Sequence, residues 1–280
     1  MLPIFKARGA VNTILNLLWP IMQQSVKEYF SNVCDVYEKE AGLQKQTAGR
    51  LAASLQPWLL TLPCGPVLEL GAGTGFFTRE LMQLLPGRDI TVTDLSDEML
   101  AFCRTQTPTH GEGSIRFQTM DAETFTPNDE TYALVAGNFV AQWFKDPALI
   151  LGRFAEVLEP GGLLLMAFPG SDSFPEWRQR CHELGLPFTG NTLPDTEEMV
   201  IKLSIGPAQV DFYEDSHTVE FPDAFSFFQH LKRIGATKKL HDKQLNAKQF
   251  RLLINHWDQS VSGSVKVTWH LVFLALKRDL

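Results

Sequence analysis

Three glycines in five residues, Gly71-Ala-Gly73-Thr-Gly75, separate the apolar stretch Pro66–Leu70 from a helical pattern over Phe76–Leu85, and Glu69 stands just before them. A strand that passes into a helix through such a turn needs backbone torsions closed to other residues, and the missing side chains let a ligand approach the main chain. The dinucleotide fingerprint G-x-G-x-x-G is not met, because Phe76 occupies the place of its third glycine. No Gly-Lys-Ser/Thr follows, so a phosphate-cradling P-loop is excluded as well. With no hydride-site constellation elsewhere, a nicotinamide oxidoreductase is disfavoured.

The segments around this turn alternate in period. Asp89–Thr93, Ile115–Thr119 and Tyr132–Gly137 read as short strands, and Ser96 can cap a helix running to about Gln106. Pro147–Leu158 reads as a helix stopped by Glu159-Pro-Gly-Gly162, and Leu163–Phe168 as an apolar strand covered on both faces. Such alternation implies right-handed crossovers and a doubly wound, mostly parallel α/β sheet. After Pro169 the rhythm changes: Glu176–Leu184 and Asp195–Leu203 look helical, and Val210–Tyr213 and Thr218–Phe221 are separate strand candidates. Ala224–Arg233 and Ala247–Gln259 read as helices, and Val265–Leu276 as a last long strand.

We expect residues 1–25 to form an N-terminal extension and residues 26–280 one domain. Within it, 26–60 would be lid helices, 64–170 the cofactor-binding core, and 171–280 a C-terminal part with a late helical insertion. Lys6, Arg8 and Lys27 flank the interrupted apolar run Val11–Leu18, which lacks the clean apolar centre and cleavage site of a signal peptide. No apolar run reaches the ~18 residues of a membrane-spanning helix. The four cysteines lie at least 30 residues apart, which gives no zinc, redox or disulfide pattern and suggests a reducing, cytoplasmic setting. The net charge of −7 argues against a surface built for nucleic acid.

Polar residues downstream of the glycine turn follow the ends of successive strands: Asp94 ends the second, Asp121-Ala122 follows the third and Asn138 the fourth. An acidic strand end followed by G-x-G-x-G resembles the S-adenosylmethionine loop of Rossmann-like (class I) methyltransferases, whose sheet has seven strands. The resemblance implies that Glu69, Gly71, Ala72, Gly73 and Gly75 wrap the amino-acid part of the cofactor. Asp94 would take the ribose hydroxyls, Asp121 and Ala122 the adenine, and Asn138 the region near the methyl, with Leu95 and Met99 as further cofactor-binding candidates. No metal is called for, since transfer from a sulfonium is an in-line displacement.

Gly137-Asn-Phe-Val-Ala-Gln142-Trp143 is similar to the Asn-x-x-x-Gln-Trp segment of the malonyl-acyl-carrier-protein O-methyltransferases of biotin synthesis (the BioC family). Tyr29-Phe-Ser31 through Tyr37 to Gln44 resembles that family's opening pattern. Leu231-Lys-Arg-Ile-Gly235-Ala-Thr237 resembles its Gly-Ala-Thr segment, and Val267-Thr-Trp-His270 its terminal strand. The chain departs from the pattern at Trp269, which replaces a more usual Tyr, and at Lys238–Asp242, which lacks the usual Glu-Gly. The implied reaction esterifies the free carboxylate of malonyl-acyl carrier protein, an acceptor already ionised near neutral pH. Methylation of another small acid or a quinone-type phenol, or S-adenosylmethionine binding without transfer, remain alternatives.

Tyr37, Gln142, Trp143, Arg233 and His270 are the acceptor-side candidates: a lid hydroxyl, an orienting amide, an indole wall, a cation for the malonyl carboxylate and a strand histidine. Between Lys232 and Arg251 seven positive residues face the single acid Asp242. Lys232, Arg233, Lys238, Lys239 and Lys243 in that block are candidates for docking an acidic acyl-carrier protein.

Overall fold

The computed structural model describes residues 34–107, 113–127, 129–236 and 244–279. The expected extension 1–25, the helical pattern before Cys34, and Lys238, Lys239 and Lys243 lie outside the described residues.

Seven strands form one sheet in the order β3-β2-β1-β4-β5-β7-β6. They are β1 Val67–Leu70, β2 Ile90–Asp94, β3 Ile115–Thr119, β4 Tyr132–Asn138, β5 Leu158–Pro169, β6 Ala208–Phe221 and β7 Val265–Arg278. The first five are parallel, and β7 runs antiparallel to both β5 and β6. β1 and most of β4 are buried, because helices cover both faces and such strands must be nearly continuous in apolar residues.

The helices are α1 Cys34–Glu40, α2 Gly42–Leu55, α3 Phe76–Leu84, α4 Asp97–Gln106, α5 Pro147–Glu156, α6 Pro175–Glu183, α7 Thr196–Leu203, α8 Ala224–Arg233 and α9 Ala247–Gln259. Their starts are written in the sequence. Ser96, Asp146, Asp195 and Asp223 each accept a backbone N–H three residues on, and Asn246 with Gln249 closes a capping box. The core lies in two layers. Leu81, Leu134, Phe227 and Trp257 belong to one, and Phe154, Leu164, Met166 and Leu274 to the other.

Three expectations are corrected. The helical pattern over 26–60 is divided at Ala41, and from Gln56 it tightens into a 3-10 turn containing Pro57. The turn signal Glu159–Gly162 does not precede β5 but lies inside it. Gly161 takes φ +73°, and the pairing with β4 shifts register between Tyr132 and Leu134, so the strand absorbs the extra residues as an irregularity. The two strand candidates at 210–213 and 218–221 are one strand of 14 residues. Its exposed Glu214, Asp215 and Ser216 continue the ladder opposite Val272, Leu271 and His270. The order turns outward in both directions from β1 and β4, which opens a crevice at their carboxyl ends.

Candidate active site

The glycine turn sits at that crevice and is bound to its neighbours by main-chain hydrogen bonds. Ala72 N–H donates to Thr93 O at 2.9 Å, and Gly73 N–H to Asp94 Oδ2 at 2.8 Å. Gly71 and Gly73 hold φ of +64° and +55°, in the left-handed region. A side chain on Gly71 would meet Val140 Cγ2 at 2.5 Å, whereas one on Gly73 would find only Tyr37 Cε1 at 3.9 Å. Gly71 therefore closes the turn against the loop after β4, and Gly73 leaves open space before the main chain.

That space is a cleft of about 980 Å³ including its open mouth, lined by Glu69, Gly71, Ala72, Gly73, Asp94, Leu95, Met99, Asp121, Ala122 and Asn138. Gly75 does not line it; it caps α3 in the left-handed conformation, close against Cys103. Burial pushes the Glu69 carboxyl up from 4.5 to about 8, although Thr78 donates a 2.7 Å hydrogen bond to it. Burial also raises Asp94, opposed by donation from the Ser96 and Gly73 N–H groups. Asp121 accepts from Glu123 N–H and so caps a 3-10 turn while facing the cleft.

A second cleft, of about 2380 Å³ including its mouth, adjoins the first. Tyr37, Gln44, Phe139 and Trp143 line both. Tyr37 comes from α1 and stacks on Phe76, with ring centroids 6.4 Å apart. Burial first, then the charges of Asp94 and Glu38, drive its phenol far above the ordinary range, so it stays protonated. Gln142 and Arg233 line the second cleft and not the first. Gln142 Nε2 donates to Phe139 O at 2.6 Å, and Arg233, 52% exposed, pairs with Glu40 Oε1 at 3.3 Å. Among the described residues Lys232 and Arg233 are the charged side chains lining this cleft; the remainder is aromatic, aliphatic or amide.

His270 lines neither cleft. Its Nε2 faces Glu214 Oε1 of the neighbouring β6 at 3.2 Å, and its Nδ1 is buried against Gly170. The structure thus gathers the glycine turn, the strand-end acids, Tyr37 and Trp143, adds Gln142 and Arg233 along the second cleft, and leaves His270 outside.

Residues not singled out from the sequence join them. Gln44, 5% exposed, accepts through its backbone O from Asn138 Nδ2 at 3.0 Å. Its side-chain Oε1 is buried without a hydrogen-bond partner, as are Asn138 Oδ1 and Gln142 Oε1. Such orphans are expensive unless a ligand supplies donors. Phe139 and Phe174 both hold positive φ, +57° and +65°, and both line the second cleft. Strain of about 1–3 kcal/mol at a non-glycine residue collects at functional sites. Gln44 was visible in the opening pattern of the chain; nothing in the sequence marks Phe139 or Phe174.

Comparison with known proteins agrees with this geometry. A family model described as a methyltransferase domain matches residues 68–166. The chain is 32% identical over 238 residues to the biotin biosynthesis bifunctional protein BioCD of Bordetella avium, covering 84% of this chain. It spans about half (49%) of that longer relative. It is also 32% identical over 201 residues to the malonyl-(acyl-carrier protein) O-methyltransferase of Magnetococcus marinus, covering 71% of this chain and 73% of that one. Among solved structures, magnesium protoporphyrin IX methyltransferase (ChlM) from Synechocystis, with bound S-adenosylhomocysteine, superposes with a TM-score of 0.57 at 13% identity. The match covers 92% of this chain and 100% of that one. At that identity the likeness concerns the fold.

Proposed function

The chain belongs to the malonyl-(acyl-carrier protein) O-methyltransferase family, and from that membership we propose that it methylates the free carboxylate of a malonyl group carried on acyl-carrier protein, using S-adenosylmethionine. The name of the BioCD relative supports placing this step in biotin synthesis. The setting would be cytoplasmic; among the described residues no helix is long and apolar enough to cross a membrane.

The observation that carries the reading is the junction of the two clefts, where Tyr37, Gln44, Phe139 and Trp143 face both. One cleft suits a cationic nucleoside. Glu69, the main chain at Gly71 and Gly73, and the orphan oxygens of Gln44 and Asn138 offer acceptors to an ammonium group. Asp94 accepts the Gly73 and Ser96 N–H groups through its two oxygens and faces the cleft, where it suits a ribose hydroxyl. Leu95, Met99, Asp121 and Ala122 line the same cleft and suit the base. When bound, S-adenosylmethionine supplies an electrophilic methyl on a sulfonium.

The chain's own residues then have to position and desolvate an acceptor. A carboxylate with a pKa near 4 needs no general base. The Tyr37 phenol, held protonated, is a donor that orients the acceptor without removing a proton from it. Trp143 walls the junction, and Gln142 is fixed by its bond to Phe139 O. Arg233 lines the second cleft and is engaged there by Glu40.

Incubation with S-adenosylmethionine and malonyl-acyl carrier protein should release S-adenosylhomocysteine. Its absence with the carrier, with malonyl-CoA and with free malonate would refute the transfer reaction.

A further inference from the structure

α1 carries Tyr37 over the junction, where Tyr37 is half-buried and packs on Phe76 and the core. Side-chain ion pairs attach the helix on two further sides. Glu38 meets Arg79 of α3 at 3.3 Å. Glu40 meets Arg233 of α8 at 3.3 Å and lies 3.8 Å from His230 Nδ1. The second attachment has an unusual location: among the described residues Arg233 and Lys232 are the charged side chains lining the cleft, and in the sequence they begin the basic stretch that ends at Arg251. An incoming carboxylate on a protein partner would therefore meet Arg233 already holding an internal carboxylate.

We propose that Glu40 is an internal stand-in for an acidic carrier protein, and that docking exchanges Glu40 for a carboxylate of the carrier at Arg233. This rests on the proposed function, since it takes the carrier to be the substrate's vehicle. Charge complementarity selects an acidic protein as the partner. The exchange gives docking a consequence inside the site. Once Glu40 leaves Arg233, α1 loses its ion pair to α8 while keeping the one through Glu38, and the helix covering the junction loosens as the loaded arm arrives. Glu40 then acts as a specificity determinant: it weakens every encounter a little, and a partner without a matching acid cannot displace it.

The test is Glu40→Gln, which removes the competing charge and keeps the side chain's size. KM for malonyl-acyl carrier protein should fall about two- to fivefold, the scale of a partly exposed ion pair. KM for malonyl-pantetheine, which carries no acidic protein, should stay the same. Adding Arg233→Ala to Glu40→Gln should abolish the gain. An unchanged or raised carrier KM in Glu40→Gln, an equal fall with malonyl-pantetheine, or a gain that survives Arg233→Ala would each overturn the exchange. A wild-type protein inactive on malonyl-acyl carrier protein would instead sink the proposed function itself, so the two failures are distinguishable.

Discussion

The Gly73 N–H donates to Asp94 Oδ2 at 2.8 Å, so the glycine turn after β1 and the acid that ends β2 form one hydrogen-bonded unit. The second Asp94 oxygen accepts from Ser96 N–H at 2.9 Å and aligns the start of α4. One side chain thereby sets the shape of the turn, the entry of a helix and the face offered to a ligand.

Removing that carboxylate should loosen all three. Hydrogen bonds to charged groups contribute about 1.5–3 kcal/mol. Asp94→Ala should therefore weaken S-adenosylmethionine binding by about tenfold or more and lower unfolding stability by about 1–3 kcal/mol. Calorimetric titration and urea denaturation read the two effects separately. Unchanged affinity would remove Asp94 from the cofactor site.

Glu69 gives a pH signature. Its carboxyl, raised by burial to about 8 from 4.5, keeps its proton in the folded chain over a range where the unfolded chain has lost it. Its contribution to stability is complete at low pH and declines as pH rises from 4.5 towards about 8. Glu69→Gln should flatten this decline and melt higher than wild type at alkaline pH, while weakening cofactor binding. In the wild type an ammonium ligand favours the ionised form. Affinity should then rise with pH up to about 8, and protons should be released on binding in buffers of different ionisation enthalpy.

Tyr37→Phe separates binding from turnover. The ring and its stacking on Phe76 remain, and only the hydroxyl at the junction is lost. Turnover should drop by about tenfold or more, on the scale of losing a positioned donor, with cofactor affinity nearly unchanged. Because the phenol stays protonated through the working range, the rate should show no basic limb assignable to this residue.

Gly71→Ala probes the turn itself. A methyl there meets Val140 Cγ2 at 2.5 Å on a backbone with φ +64°. Left-handed strain and overpacking together should cost about 2–4 kcal/mol. Adding Val140→Ala should recover part of the loss by relieving the overpacking, and the strain at φ +64° should remain.

The parts of the fold legible in the sequence are those whose physics is local. β1 and β4 announce themselves as apolar runs, Ser96 as a cap, and Gly71–Gly75 as a turn that tolerates positive φ. The acids at strand ends could be placed because each lies at a fixed step after its strand. What the sequence hid depends on distant partners. Glu214–Ser216 is polar enough to read as a break, yet on an edge strand bonded only to β7 it costs nothing to leave those side chains in water. Pro160-Gly161-Gly162 reads as a stop, yet β5 carries it as an irregularity because β4 pairs with Leu158 before it and with Leu163 after it. Gln44 and Asn138 are 94 residues apart and meet only in the folded chain. His270 had the right residue type for chemistry, but its strand partner Ser216 and the nearby Glu214 place it away from both clefts.

The central claim is that the acceptor atom is a carboxylate oxygen presented at the wall shared by the two clefts. It is tested most directly by locating the methyl group after transfer from isotope-labelled S-adenosylmethionine to malonyl-acyl carrier protein. The account predicts label on the distal carboxylate as a base-labile methyl ester, formed one for one with S-adenosylhomocysteine. Label on any other atom, or on no acceptor while the cofactor binds, would contradict it.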